Sequence, residues 1–256
     1  MKSYKKASAL LVLFFISTLS YGQELSGYYS YLLNRINVNP ALTGSNLNGE
    51  GLLSSRTQMA GVDGGPRNIM LGLHAPFSVN QGLGIKVMSD TRGAFEVSRV
   101  DALFAHRFSL NDDIELRFGL SGGALIRSFN TGKIDTESAL FAADDPTLSD
   151  NDYNYTRFVA GFGLLLNWKA LELGFSAPHI IESNEAINQY LVGSACYKYD
   201  VGSSPWSVSP FVVFQNIPVT KNLLDVGVRG EWKEKIQVQT AYQTNGTFKG
   251  AVGFNL

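Results

Sequence analysis

The chain has 256 residues, a formal net charge of −1, 17% charged residues, 12% aromatic residues and 26 glycines. This slightly acidic balance gives no basis for nucleic-acid binding, which depends on a basic surface. An average soluble domain has roughly 25% charged residues, so the low charge content favours a protein with a large surface that faces something other than water. A soluble β-sandwich can have similar glycine and aromatic contents. The pattern of the strands must therefore distinguish a membrane protein from a soluble one.

The first 22 residues have the layout of a secretory signal peptide. Three lysines within the first six residues precede the apolar stretch Ala7–Leu19, and Gly22 follows shortly after it. A membrane-spanning helix needs about 20 apolar residues, whereas this stretch is shorter and leads directly to the small residues typical of a cleavage site. We therefore predict a signal peptide over residues 1–22, with cleavage after Gly22.

Cys196 is the only cysteine of the chain. It lies far from the predicted cleavage site, so no lipoprotein anchor is expected, and a single cysteine cannot form an internal disulfide. After Gly22 no continuous apolar run is long enough to cross a bilayer as a helix. A role in a membrane would therefore have to come from strands.

From about Glu50 to Leu256 the sequence divides into segments in which apolar residues alternate with polar or small ones. The clearest example places Ile114, Leu116, Phe118, Leu120, Ala124 and Ile126 on one face and Glu115, Arg117, Gly119, Ser121, Gly123 and Arg127 on the other. Successive side chains of a strand point to opposite faces. We predict an all-β fold, an antiparallel transmembrane β-barrel of roughly twelve strands with fourteen as the alternative, over residues 50–256. We predict that residues 23–49 form an N-terminal periplasmic or plug segment.

The competing interpretation is a soluble sandwich or lipocalin-like barrel, which alternates equally well but buries its apolar face. Two of the alternating segments, Ala94–Phe108 and Ile114–Ser128, are about fifteen residues long, whereas strands of soluble sheets usually have five or six. Arg117, Arg127 and Arg229 fall on polar faces, where a dry core would make them costly unless they were paired. Both observations favour the transmembrane barrel.

Loop lengths give an independent test, because outer-membrane barrels alternate short periplasmic turns with longer external loops. With Gly61–Pro66 taken as external, Ser78–Gln81 and Leu110–Asp113 become periplasmic turns and Asn130–Asn154 becomes an external loop. The longest loop then lies outside the cell, and both termini lie in the periplasm. The carboxylates of loop 130–154 leave Ca²⁺ binding open, but their spacing matches no known calcium motif, and a solvated acidic loop is the preferred interpretation.

Aromatic residues also fall near predicted strand ends, where amphipathic rings prefer the membrane interface. These residues are Trp168, Trp206, Trp232, Tyr197, Tyr199 and Tyr242. Packing of the rings in a core is the alternative.

The residues before the first strand carry a motif that a barrel does not require. A tyrosine-rich stretch, Tyr28–Tyr31, is followed by Asn39-Pro40-Ala41 and by Gly44. Arg56-Thr57-Gln58 follows in the first strand, and Gly82-Leu83-Gly84 begins a later one. In this order the motifs resemble the PorP/SprF family over about residues 25–123, although Met59 stands where that family often has tryptophan.

The resemblance implies an outer-membrane protein that works with type IX secretion and gliding. Its implied partners are type IX secretion components, a large secreted adhesin or an OmpA-like peptidoglycan-binding protein, in addition to outer-membrane lipid. The residues that carry the resemblance are the candidate partner-binding residues, namely Tyr31, Asn39, Pro40, Ala41, Gly44, Arg56 and Gln58.

No sequence motif indicates catalysis or a bound cofactor. His74, His106 and His179 are widely separated, and neither a zinc-protease pattern, a serine nucleophile elbow nor a phosphate-binding loop occurs. We therefore expect that the protein is not an enzyme and that it has neither a cofactor nor a metal site. Two functions remain, a non-catalytic anchor or partner-binding barrel and, as the alternative, a passive or substrate-selective transport barrel. They differ in whether the interior is filled or forms a path.

Overall fold

The computed structural model describes residues 31–32, 35–46, 48–130, 154–182, 190–216 and 222–254. Its strands are β1 Glu50–Thr57, β2 Arg67–Ser78, β3 Gln81–Arg92, β4 Phe95–Asn111, β5 Ile114–Phe129, β6 Tyr155–Trp168, β7 Leu171–Glu182, β8 Tyr190–Tyr197, β9 Tyr199–Asp200, β10 Trp206–Asn216, β11 Leu223–Trp232, β12 Ile236–Gln243 and β13 Phe248–Phe254. Two 3-10 turns, Arg35–Asn37 and Pro40–Leu42, precede them. No helix within these ranges has the length and hydropathy needed to cross a membrane.

All thirteen strands belong to one antiparallel sheet in which strand neighbours follow chain order. The two-residue strand β9 pairs with β10 next to the stretch of β10 that pairs with β8. Because β8 and β9 therefore share one place in the strand order, the sheet is twelve strands wide. The all-β antiparallel prediction is confirmed, and the described residues form thirteen strands where roughly twelve were predicted. Within the described ranges β1 and β13 do not pair with each other, so closure into a barrel remains a prediction.

The two faces of the sheet are the reverse of those in a soluble protein. On β2, Leu71 and Leu73 are 39% and 45% exposed, whereas His74 is buried. On β5, Arg117 and Ser121 are buried and Leu120 is 45% exposed. We call the face that carries the buried polar residues the inner face and the apolar one the outer face. The predicted alternation is therefore confirmed.

The sheet curves strongly toward its inner face. Arg99 on β4 donates from Nη2 to the carbonyl oxygen of Pro178 on β7 at 3.3 Å, and its guanidinium also contacts His179. β5 and β6 lie between these two strands in the sheet. A direct contact across two intervening strands requires the sheet to wrap around its own interior.

Connections differ between the two ends of the sheet. At one end β2–β3, β4–β5 and β6–β7 are each joined by a pair of residues, at 79–80, 112–113 and 169–170. At the other end the β1–β2 connection spans residues 58–66 and the β5–β6 connection spans 130–154, although β3 and β4 are joined there by residues 93–94 alone. We call these the short-turn end and the long-loop end. β1 begins and β13 ends at the short-turn end.

Apart from the two-residue β3–β4 connection, the connections follow the alternation expected from the sequence. The orientation of the two ends relative to a membrane remains a prediction. The acidic residues of the predicted external loop lie within 131–153, outside the described residues.

Candidate functional site: a segment docked on the inner face

Of the described residues before β1, residues 31–32 and 36–43 are buried against the inner face. We call residues 31–32 and 35–44 the docked segment. Its first part places Tyr31, Leu32 and Val38 in an apolar cluster with residues of β8, β10 and β12, and its second part places Ile36 and Leu42 against β4 and β6. The segment therefore crosses the interior from the last strands of the sheet toward the first.

Asn39 begins the 3-10 turn Pro40–Leu42 and ties it to the sheet. Its Oδ1 accepts from the Ala41 N–H at 2.9 Å, and its Nδ2 donates to the Leu164 carbonyl on β6 at 3.0 Å. Pro40 follows as the first residue of the turn, where its missing N–H and fixed φ are compatible with helical geometry. One side chain thus caps the turn and fixes its position on β6.

Arg117 on β5 supplies donors to the carbonyls of the same turn. Its Nε donates to the Ala41 carbonyl at 3.1 Å and its Nη2 to the Thr43 carbonyl at 3.3 Å. Ala41 and Thr43 have no exposed surface, so water could not replace these bonds. A buried carbonyl without a hydrogen-bond partner costs about 1–3 kcal/mol. Arg117 supplies a donor to two such carbonyls and so avoids this cost at both.

Three glycines on the sheet allow the backbone of the docked segment to come close. A Cβ at Gly163 would overlap Oδ1 of Asn39, one at Gly119 would overlap the backbone of Pro40 and Ala41, and one at Gly82 would overlap the Thr43 carbonyl. These glycines lie on β6, β5 and β3. Their missing side chains form the seat in which residues 39–44 lie.

Further contacts hold the segment along its length. Gly44 donates its N–H to Nδ1 of His74 on β2 at 3.0 Å, and Gln239 on β12 donates to the Leu32 carbonyl at 2.7 Å. Between these points Ser176 on β7 donates to the Val38 carbonyl, and Arg35 pairs with Glu172 on the same strand. Contacts with the docked segment therefore extend from β2 to β12.

Tyr31 lies beside a buried polar network on the last strands. Asp225 on β11 accepts from Gln215, Gln243 and Lys249 at 3.1, 3.1 and 2.9 Å. The Lys249 ammonium also lies 5.2 Å from the centre of the Tyr31 ring. Burial, together with the negative charge of Asp225, raises the pKa of Tyr31, so its phenol stays neutral.

The structure brings five of the seven candidate partner-binding residues together in the docked segment, namely Tyr31, Asn39, Pro40, Ala41 and Gly44. The first four are buried, and Gly44 has a φ of +63° next to backbone atoms of β2 and β3. Arg56 and Gln58 lie apart from them, at the long-loop end of β1 and just beyond it. Partner binding by these seven residues remains a prediction, because the contacts described are internal.

Sequence reasoning did not single out the groups that receive the docked segment. They include Arg117, Gly119, Gly163 and Gln239. The alternation in the sequence does place Arg117 and Gly119 on the inner face, so the face of the strand on which they lie could be predicted. Nothing in the local pattern indicates which stretch of chain they contact.

The outer face carries exposed aromatic residues at strand ends. Trp168, Tyr197 and Trp206 are 54%, 50% and 46% exposed at the short-turn end. At the long-loop end Tyr242 packs against Phe248, with ring centres 5.0 Å apart, and both are exposed. Apolar outer residues lie between these positions, as in the outward-facing band of outer-membrane barrels.

Comparison with models of protein families matches residues 20–256 to the model described as type IX secretion system membrane protein PorP/SprF. Comparisons with curated proteins and with solved structures found no match. The family match spans most of the chain, from before the docked segment to the last residue, and it confirms the resemblance inferred from the motifs. The chain therefore belongs to the PorP/SprF family of type IX secretion system membrane proteins.

Proposed function

We propose that this protein is a non-catalytic outer-membrane β-barrel that serves as an anchor or partner-binding component of type IX secretion, gliding or adhesin display. Membership of the PorP/SprF family supports a role in type IX secretion. The apolar outer face and polar inner face support a membrane-spanning sheet. In this proposal β1 and β13 close the barrel, the short-turn end faces the periplasm, and both termini lie there.

The observation that carries the anchor function is the docked segment. A transport barrel needs an open or gated path, whereas here the inner face binds a piece of its own chain from β2 to β12. Polar groups that could line a path are used to hold the segment. Arg117 and Ser176 donate hydrogen bonds to its carbonyls, and Asn39, which belongs to the segment, donates to β6. An interior occupied in this way favours a fixed component over a channel.

The first test is an affinity pull-down of the detergent-solubilised protein from its native outer membrane, with mass spectrometry of the proteins recovered. Recovery of a type IX secretion component, a large secreted adhesin or an OmpA-like peptidoglycan-binding protein is expected. The protein should also be found in the outer-membrane fraction and need detergent for extraction. Isolation of the protein alone would argue against the anchor function.

Conductance in a planar bilayer distinguishes the anchor from the transport barrel. The wild-type protein should not conduct, because the docked segment occupies the interior. A variant that combines Asn39→Ala with Arg117→Gln removes the bonds that hold residues 39–43 and should show channel openings. Stable conductance of the wild type would favour the transport barrel.

A further inference from the structure

A polar cavity of about 470 Å³ lies at the short-turn end, between the docked segment and strands β6 to β11. A smaller cavity adjoins it beneath the segment, and Arg35, Glu172, Cys196 and Arg229 line both. The exposed side chains of Lys169 and Lys198 lie at its rim. Its volume falls within the roughly 300–1,000 Å³ typical of small-molecule sites.

Arg229 on β11 is the group in this cavity whose bonding is incomplete. Its Nε is buried and has no hydrogen-bond partner within the described part of the chain. The nearby carboxylates of Glu172 and Glu231 interact with its charge, but Glu172 also pairs with Arg35 and Glu231 accepts from Ser207 at 3.4 Å. A buried donor without an acceptor is costly, so the site is suited to a ligand that supplies one.

The neighbours of the partly buried Arg229 across the sheet are polar and buried. Ser209 on β10 and Gln239 on β12 lie directly opposite it in the two strand pairs, and both are nearly inaccessible to solvent. The Oε1 atom of Gln239 is buried without a donor within the described residues. The inner face therefore presents a row of three polar side chains at this level.

The charges of the lining disfavour a multiply charged anion. Glu172, Asp200 and Glu231 line the cavity with the four basic residues, and Lys169 and Lys198 pair with Asp113 and Glu234, so no excess of positive charge remains. A phosphate monoester, with a charge of about −1.5 to −2 at neutral pH, would meet repulsion from three carboxylates. A carboxylate carries a single charge and matches the paired donors of the Arg229 guanidinium.

We propose that this cavity binds a carboxylate group through Arg229, carried either by the end of a peptide chain or by a small free acid. The inference goes beyond the proposed function and does not depend on it. Arg35 lies at the same cavity, where it pairs with Glu172. A ligand N–H that reached the smaller adjoining cavity, which Gln239 lines, would have the buried Oε1 of Gln239 as its acceptor.

Cys196 provides the readout, because it is the only cysteine of the chain and lines both cavities. The rate of its labelling by a maleimide is measured on the purified full-length protein in detergent. The probes are acetylated pentaalanine with a free C-terminal carboxylate, the same peptide as its C-terminal amide, and N-acetylglycine. The free acid should slow labelling severalfold, and the amide should leave it unchanged.

Arg229→Gln should weaken protection by the acid by about tenfold or more, as expected for the loss of a charged hydrogen-bond donor. Arg127→Gln is the matched control, since Arg127 is also on the inner face but lies near the long-loop end beside Tyr155. Arg229→Lys retains the charge without the paired donors, and it should still weaken protection severalfold if the glutamine variant does not fold.

Equal protection by acid and amide, no protection by either acid at tens of millimolar, or unchanged protection in Arg229→Gln would overturn the proposal. The comparison of acid with amide needs no variant and therefore does not depend on the folding of one. Stronger protection by the peptide acid than by N-acetylglycine would support a chain end as the ligand. Equal protection by the two acids would support a small free acid.

Discussion

Asn39 lies so close to Gly163 that a Cβ on this glycine would overlap the Asn39 Oδ1 atom. The same oxygen accepts the Ala41 N–H, and the neighbouring Nδ2 donates to the Leu164 carbonyl. Position 163 therefore requires glycine, because the Asn39 side chain fills the space that a Cβ would take. The position of the docked segment depends on this contact.

Gly163→Ala should lower the free energy of unfolding by about 1–3 kcal/mol, the usual cost of an extra methyl group in a packed site. The added Cβ forces Asn39 and its turn away from β6. Equilibrium unfolding in denaturant, with the protein in detergent micelles, measures the change. Gly193→Ala on β8 is the control, because no atom lies within 4 Å of the position of its Cβ. Equal effects of the two substitutions would show that Gly163 does not form part of a seat.

Asn39→Ala should destabilise the turn by about 1–2 kcal/mol, since an N-cap side chain is lost. It also removes the donor to the Leu164 carbonyl. Because Asn39 and Cys196 line the same cavity, loosening the segment should raise the rate of Cys196 labelling by a maleimide. Asn46→Ala, which removes only an exposed bond to Glu50, should leave that rate unchanged. An unchanged rate in Asn39→Ala would mean that Asn39 does not hold the segment.

Most of the sheet could be predicted from the sequence, and the reason is physical. An alternation with a period of two follows directly from strand geometry, so the faces of Arg117 and Leu120 were assigned correctly. The turns at 79–80 and 112–113 also fell within the predicted connections. Each of these inferences depends on neighbours along the chain.

The contacts of the docked segment could not be predicted in the same way. Arg117 bonds to residues 74 and 76 positions earlier in the chain, and Gln239 bonds to a residue 207 positions earlier. No local pattern encodes such pairings. The family motif did indicate that Asn39-Pro40-Ala41 is a distinct unit, whereas its burial on the inner face depends on glycines contributed by three separate strands.

The exposed apolar outer face leads to a prediction about charge and depth. Leu120 lies in the middle of β5 and is 45% exposed, whereas Leu110, near the short-turn end of β4, is 64% exposed. In a membrane, arginine costs about 2–4 kcal/mol at the midplane and about 0–1 kcal/mol near the interface. Leu120→Arg should therefore destabilise the protein in phospholipid vesicles far more than Leu110→Arg. Denaturant unfolding of both variants measures the difference, and equal small effects would contradict a membrane-facing outer surface.

Closure of the sheet between β1 and β13 can be tested with pairs of cysteines. β1 and β13 are each paired on one side only within the described residues. Leu53 and Val252 are outer-face residues of these strands, 71% and 57% exposed. If the barrel closes, the two strands become antiparallel neighbours, and residues opposite each other come within the Cα separation of about 4.4–6.8 Å that a disulfide requires.

In a Cys196→Ser background, Leu53→Cys is combined in turn with a cysteine at each outer-face position of β13, namely Phe248, Gly250, Val252 and Phe254. Oxidation should form a disulfide in at least one combination, because some outer residue of β13 must lie opposite or next to position 53 in a closed barrel. Leu53→Cys with Leu71→Cys is the positive control, since these residues are directly opposite in the β1–β2 pair. Leu53→Cys with Val226→Cys on β11 should not crosslink. Crosslinking in the β1–β2 control but in none of the β13 combinations would mean that the sheet stays open along this edge.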